Sequence, residues 1–297
     1  MDKPKIPLDL LRKPGWLKIK RDSAQHYSCT ASALQKGGLH TICTSGKCPN
    51  RSECWSRGTA TFMIGGGVCT RACRFCATPY SGCPPMLDSA EPEKLANAVL
   101  EMQLRYVVLT SVDRDDLPDY GAEHWQKCIQ AVRNALPLAK IEALIPDFNG
   151  NENCLNTVLK AQPDVVAHNL ETVRRLTPAV RHRATYNQSL QVLHYCKQKG
   201  FITKSGIMVG LGETPEEVLQ LMQDCKEIGV STLTIGQYLQ PTRKHYPVAE
   251  YVHPSQFAYY KQQGEALGLQ HVESGPLVRS SYHADHQYHL AAKAQEQ

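Results

Sequence analysis

The sequence predicts an α/β fold, a partial (β/α)6 TIM-type barrel, on three observations. Six short apolar runs recur through the middle of the chain, and helical patterns lie between them. A cluster of cysteines directly follows the first run, at the carboxyl end of a strand, where parallel sheets gather their ligands. A doubly wound sheet is the alternative assembly of the same units, and it too places its site at the carboxyl ends.

The six runs are TATFMIG (59–65), RYVVLTS (105–111), KIEALIP (140–146), DVVAHN (164–169), ITKSGIMVG (202–210) and TLTIGQY (232–238). Each is short, apolar and mostly β-branched, as strands buried on both faces are. The clearest helix spans 214–228. Thr214 caps it, Pro215 fits its first turn, Glu217 completes a capping box, and Val218, Leu221, Met222 and Cys225 form one apolar face. Residues 92–104 repeat the pattern, with Pro92 early and Leu95, Val99 and Met102 on a face, and Thr185 and Gly200 bracket a further helix. Three zones result: a loop-rich amino-terminal extension (1–58), the barrel (59–240), and a polar, His-rich carboxy-terminal extension (241–297). The two extensions are expected to cover the open mouth.

Composition narrows the function classes. With 297 residues, 42% hydrophobic and 21% charged, the chain builds a packed core. No apolar run approaches a membrane span, and the polar, proline-punctuated start lacks the apolar centre of a signal peptide. The net charge of +5 is below the charge density of a dedicated nucleic-acid binder and suits an acidic protein partner or an anionic cofactor. A cytoplasmic protein with neither nucleic-acid nor membrane partners is expected.

Twelve cysteines are present, seven of them between positions 43 and 83. The densest stretch, CTRACRFC, spaces Cys69, Cys73 and Cys76 as C-x3-C-x2-C. Structural zinc takes four ligands, usually from paired knuckles. A four-iron cube offers four irons to thiolates, so three cysteines leave one iron open. Arg71 and Arg74 flank the thiolates and would offset negative charge.

C-x3-C-x2-C after the first strand of a partial barrel resembles the radical S-adenosylmethionine superfamily. That resemblance implies a [4Fe-4S] cluster whose open iron is chelated by adenosylmethionine. One electron then cleaves the sulfonium bond to give a deoxyadenosyl radical that abstracts hydrogen from unactivated C–H bonds.

Upstream, CTSGKCPNRSECW spaces Cys43, Cys48 and Cys54 as C-x4-C-x5-C. By spacing alone this is a zinc knuckle or a second cluster, with Cys29 or Cys83 available as a fourth ligand. The two triads, with LHT, CPN, ECW, ATFM, TSVDRDDLPDYGA, HNLETV, GIMVGLGE and RSSYHAD in the same order, resemble the lipoyl synthase family over nearly the whole chain. The resemblance implies that Cys43, Cys48 and Cys54, with Ser280 as fourth ligand, hold an auxiliary [4Fe-4S] cluster in the amino-terminal zone. That cluster is consumed as it donates two sulfurs to carbons 6 and 8 of an octanoyl chain. The octanoyl chain is carried on a lysine of a lipoyl carrier domain, a dehydrogenase E2 subunit or the glycine cleavage H protein. The other partners implied are a low-potential electron donor such as ferredoxin or flavodoxin and a cluster-repair carrier.

The remaining candidates lie at strand ends. Asp113, in TSVDRDD, contacts the cationic cofactor or belongs to a solvated acidic turn. Asn169 and Glu171 are placed to bond ribose hydroxyls or the methionyl group, whereas His168 reads as a satisfied structural histidine. Lys204, within the fifth run, needs a charged partner, either the cofactor carboxylate or an acid of the chain. Arg279 would neutralise the auxiliary cluster or hold substrate. His245 would contact substrate or serve its loop. Arg174, Arg175, Arg181 and Arg183 read as a carrier-docking face or an internal ion-pair set. Cys128, Cys154, Cys196 and Cys225 fall on helical patterns as small core residues.

Three places depart from the family pattern: CTSGK between the first auxiliary cysteines, Tyr120 where a second glycine is usual before Gly121, and the triple glycine 65–67. They bear on carrier preference and efficiency and leave every ligand position in place. The rival readings are another sulfur-inserting radical enzyme, acting on tRNA or a biotin precursor, and a zinc-stabilised binding module. The RSSY segment and the amino-terminal position of the second triad weigh against the first rival.

Overall fold

The computed structural model describes residues 12–18, 25–57 and 59–295, without the side chains of residues 25, 26, 29 and 293–295. The side chain of Cys29, weighed above as a fourth ligand, and the chain start therefore lie outside what the structure describes. The elements run α1 (Gln25–Gly37), β1 (His40–Thr41), α2 (Ile42–Ser45), α3 (Arg51–Ser56), β2 (Thr61–Ile64), α4 (Glu91–Glu101), β3 (Tyr106–Ser111), α5 (Ala122–Ala135), β4 (Lys140–Leu144) and α6 (Glu152–Leu159). There follow β5 (Val165–Ala167), α7 (Thr177–Val180), α8 (Tyr186–Gln198), β6 (Ile202–Val209), α9 (Pro215–Glu227), β7 (Thr232–Gln237), α10 (Pro254–Ala266), β8 (His271–Gly275) and α11 (Ala284–Gln295). Among the described residues, no helix is long and apolar enough to cross a membrane.

All six predicted strands are present, as β2 to β7, and they pair in sequence order as parallel neighbours. The count of six is corrected to seven parallel strands, because β8 joins β7 in parallel. The two-residue β1 adds an antiparallel edge against β2. HVESG escaped the pattern because it is a partly exposed edge strand, buried only at His271 and Val272, so it needs no apolar run.

The helices start where the sequence places them. Thr214 and Glu217 form a reciprocal capping box on α9, and the Thr185 hydroxyl accepts from the Gln188 amide at the start of α8. One packed cluster centres on Trp125, Phe62 and Phe148 under α4 to α6; another centres on Leu170, Tyr238 and Phe257 under α8 to α10. Cys128, Cys154, Cys196 and Cys225 are buried on α5, α6, α8 and α9, as expected of core residues.

Lys204 reaches into the barrel and pairs with Glu142 at 2.8 Å, and Tyr106 donates to the same carboxylate at 2.8 Å. With Lys204 2% and Glu142 1% exposed, the pair is complete within the chain. The assignment of Lys204 to the cofactor is therefore corrected: a buried ammonium requires a counter-charge, and Glu142 supplies it.

After β8 the chain forms a strap, residues 276–283, that crosses back to the other edge of the sheet. Asn50 donates to the Leu277 carbonyl at 2.6 Å, Thr61 to the Ser281 hydroxyl at 2.8 Å, and Tyr282 to Glu53 at 3.1 Å. α11 then packs against β3 and β8, with Tyr288 beside Tyr106 and under Lys140. Tyr106 and Lys140 begin their strands, so α11 caps the amino end of the barrel and leaves the carboxyl end to the site.

Candidate cluster and cofactor site

The loop carrying Cys69, Cys73 and Cys76 leaves β2 through Gly65 (φ 80°) and Gly66 (φ 93°), a left-handed turn that side chains resist. Glu91 fixes the turn. Its carboxylate accepts from the Gly65 amide at 2.8 Å and pairs with His124 at 2.5 Å. Beyond the turn, the Cys69 amide donates to the Pro79 carbonyl, and Ser81 donates back to the Cys69 carbonyl. Thr70 reaches the end of β3: its amide donates to the Asp113 carbonyl at 3.0 Å and its hydroxyl to Asp115 at 3.0 Å.

Arg71 ties the loop to two strand ends. Its guanidinium forks onto Asp115, with bonds of 2.9 and 2.8 Å, meets Asp147 at 2.7 Å, and lies 3.4 Å from Asp113. Asp113 and Asp115 follow β3 and Asp147 follows β4. Burial works against ionisation of Asp147, but the Arg71 guanidinium outweighs it and holds the carboxyl at about 2. Asp113 goes the other way: burial raises it, Arg71 opposes, and the neighbouring Asp147 and Asp115 carboxylates add to the rise. Burial likewise raises Glu171, against Arg181 and Asn169.

A cleft at the carboxyl ends of the strands is lined by Cys73, Asp113, Asp147, Asn169, Glu171 and Arg181, among others. Asn169 Oδ1 and Asp147 Oδ2 are buried without a hydrogen-bond partner. Glu171 is held at φ 64°, a left-handed conformation uncommon outside glycine. Unpartnered acceptors and three carboxyls around one cleft suit a cationic ligand rich in donors. A larger cavity of about 200 Å³ borders Gly65–Val68 and Pro84–Met86, but its acidic groups Asp88 and Glu91 already pair with Lys94 and His124.

The second triad spans α2 to α3. Cys43 is buried and Cys48 and Cys54 half-buried. Burial pushes the Cys54 thiol up to about 12, and Cys48 and Cys43 push it the same way, since each thiolate would repel the others. In the loop triad, burial and Asp113 push Cys69 and Cys73 up to about 12. The strap lies over the second triad. Arg279 is half-buried and its positive charge acts on Cys48, and the Ser280 hydroxyl accepts from Asn169 Nδ2 at 2.9 Å.

Asp113, Asn169 and Glu171 thus come together in one cleft, as predicted. Three other predicted contacts do not join them. Lys204 is paired below. His245 lies behind the loop, its Nε2 2.9 Å from the Cys76 carbonyl and its Nδ1 2.8 Å from Thr242, so its expected substrate contact is corrected to support of the loop. Arg279 faces Cys48, and its guanidinium bonds the Val278 carbonyl, outside the cleft lining. His168 is satisfied by the Ile145 carbonyl and Ser189, as expected. The arginine stretch is largely an internal set: Arg174 pairs with Asp224, Arg175 with Glu217, Arg183 with Asp115, and Arg181 bonds the Asn169 and Leu170 carbonyls. Cys83 is exposed. Tyr120 adopts φ 54°, a conformation glycine would take at no steric cost. Sequence reasoning missed the Arg71–Asp147 pair and the place of Arg181 in the cleft. Asp147, placed just after an apolar run, was the available signal.

Fold and site together define a radical S-adenosylmethionine enzyme, and the model of the Radical SAM superfamily matches residues 63–225. The chain is 55% identical to a lipoyl synthase of Parabacteroides distasonis, over 93% of this chain and 98% of that one. It is 53% identical to a lipoyl synthase of Treponema denticola, over 92% and 94%. Among solved structures, it is similar in fold to the FeFe-hydrogenase maturase HydG from Carboxydothermus hydrogenoformans. The TM-score there is 0.54 at 13% identity, covering 90% of this chain and 78% of that one. The chain belongs to the lipoyl synthase family, enzymes that use S-adenosylmethionine and [4Fe-4S] clusters.

The residues fit those groups. Both triads are free thiols. Among the described residues, the ligand-type atoms that close to within 4.8 Å of one another belong to Glu91, His124 and Cys128. Neither cysteine triad is drawn that tight, whereas sulfurs around one zinc at about 2.3 Å stand about 3.8 Å apart.

Proposed function

We propose that this chain inserts two sulfur atoms, at carbons 6 and 8, into an octanoyl group amide-linked to a lysine of a lipoyl carrier domain, such as a dehydrogenase E2 subunit or the glycine cleavage H protein. The observation that carries the reading is the position of the strap. Ser280 is bonded to Asn169, a residue of the cleft that Cys73 also lines, while on either side of it Leu277 and Tyr282 bond Asn50 and Glu53, which lie between Cys48 and Cys54. The two triads therefore flank one short segment, and a substrate between them would meet both.

In this reading Cys69, Cys73 and Cys76 hold one [4Fe-4S] cluster, and Cys43, Cys48, Cys54 and Ser280 hold the other. When bound, adenosylmethionine and the first cluster supply hydrogen-atom abstraction, and the second cluster supplies sulfur. The chain's own work is positioning. Asp113 and Glu171 offer half-buried carboxyls that a cationic cofactor would draw into the charged form, and the unpaired Asn169 Oδ1 offers an acceptor. Arg71 fixes the loop against Asp115 and Asp147, so Cys73 and the acids keep one spacing. Arg279 offsets thiolate charge at Cys48, and Asn169 orients Ser280. A low-potential donor such as ferredoxin or flavodoxin, a cluster-repair carrier and a cytoplasmic setting complete the proposal.

The test is an anaerobic reaction of the reconstituted enzyme with an octanoyl-lysyl carrier peptide, adenosylmethionine and a reductant, read by mass spectrometry. The expected product has gained two sulfurs. Unchanged peptide from protein carrying both clusters, or a protein that takes up zinc without iron or sulfide, would defeat the reading.

A further inference from the structure

The two arginines of CTRACRFC point opposite ways. Arg71 turns inward onto three aspartates, whereas Arg74 is exposed. The Arg74 backbone is clamped on both sides: its amide donates to the Val180 carbonyl at 3.0 Å, and its carbonyl accepts from the Tyr246 amide at 2.7 Å. Its guanidinium lies 5.0 Å over the Tyr246 ring. The same loop places His245 against the Cys76 carbonyl and carries Arg243 and Lys244, both exposed.

Among the described residues, Arg74, Arg243 and Lys244 have no carboxylate within ion-pair distance. Their neighbours differ. Arg174, Arg175 and Arg183 are each paired with an acid. Arg74 also donates to the Ala179 carbonyl at 3.3 Å, but three cations with no carboxylate partner on one short stretch of surface repel one another, and they are complementary to an acidic partner.

We infer that the face formed by Arg74, Arg243 and Lys244 is the docking surface for the protein that reduces the cluster held by Cys69, Cys73 and Cys76, an acidic one-electron carrier of low potential. The inference rests on the reading that this triad holds a redox cluster. Two facts favour an electron carrier over the acyl carrier. First, Arg74 lies between Cys73 and Cys76 in sequence, and His245 touches Cys76, so a partner on this face stands one loop away from two ligands. Second, none of the three cations lines the cleft. An acyl-lysine needs an opening to reach its site, whereas an electron does not. The step at this face is one electron leaving the reduced flavin or iron–sulfur partner and one entering the cluster. No bond or proton changes place there.

The test uses the full chain, reconstituted anaerobically, with the double variant Arg243→Glu/Lys244→Glu. Binding of a flavodoxin and of an octanoylated lipoyl carrier domain is measured by calorimetry, and deoxyadenosine formation is driven either by flavodoxin or by dithionite. The variant is expected to bind flavodoxin about tenfold or more weakly, with the largest difference at low salt. Its dithionite-driven rate and its affinity for the carrier domain stay at the parent level. Unchanged flavodoxin affinity would overturn the inference, as would a loss of carrier binding equal to the loss of flavodoxin binding. If the parent protein forms no deoxyadenosine even with dithionite, the redox reading of the triad fails, and the inference falls with it.

Discussion

Cys73→Ala is expected to abolish deoxyadenosine formation, and Cys48→Ala to leave it running while ending sulfur insertion. The expectation follows from where each thiol stands. Cys73 lines the cleft with Asp113, Asn169 and Glu171, the acids and amide proposed to hold the cofactor. Cys48 lies between α2 and α3, beside Arg279 and outside that cleft. Losing one of three thiolates forfeits its cluster, so each variant should retain about half the iron. Deoxyadenosine by chromatography, product mass and iron content are read on the same samples. Equal loss of cofactor cleavage in both variants would contradict the division of labour.

Arg71→Ala is expected to cost folding stability as well as activity. Its guanidinium sits among Asp113, Asp115 and Asp147, and Asp147 is 1% exposed. Removing one partner from a buried charge network leaves the others uncompensated, at a cost of about 3–5 kcal/mol. The loop would also lose its tie to the ends of β3 and β4. Cofactor cleavage should therefore fall even below the melting transition. Arg71→Lys restores the charge without the planar fork and should recover part of the stability. A native melting temperature and native cleavage rate in Arg71→Ala would show that the network is incidental.

Much of the site was legible because it is local. The spacing of Cys69, Cys73 and Cys76, the strand before them, and the cap of α9 by Thr214 and Glu217 each sit within a few residues. Asp113, Asn169 and Glu171 stand at or just after the ends of apolar runs, and parallel strands bring such positions to one cleft. What escaped is non-local or lightly patterned. Arg71 reads as a shield for the thiolates until the fold brings Asp147 to it from 76 residues away. Lys204 looks like a cofactor ligand until Glu142, two strands over, closes on it. β8 is buried only over its first two residues, so its sequence carries no apolar run. Ser280 was reached through family resemblance alone. Its bond to Asn169, spanning 111 residues, has no signature in spacing.

The central claim is that one triad drives the chemistry and the other supplies the sulfur. Its most direct test is a single turnover in which the enzyme's clusters carry heavy-isotope sulfide and the solution contains only light sulfide. The account predicts that both sulfurs in the octanoyl-derived product are heavy and that the iron held by Cys43, Cys48 and Cys54 is lost as product forms. Light sulfur in the product, or full product with that cluster intact, would contradict it.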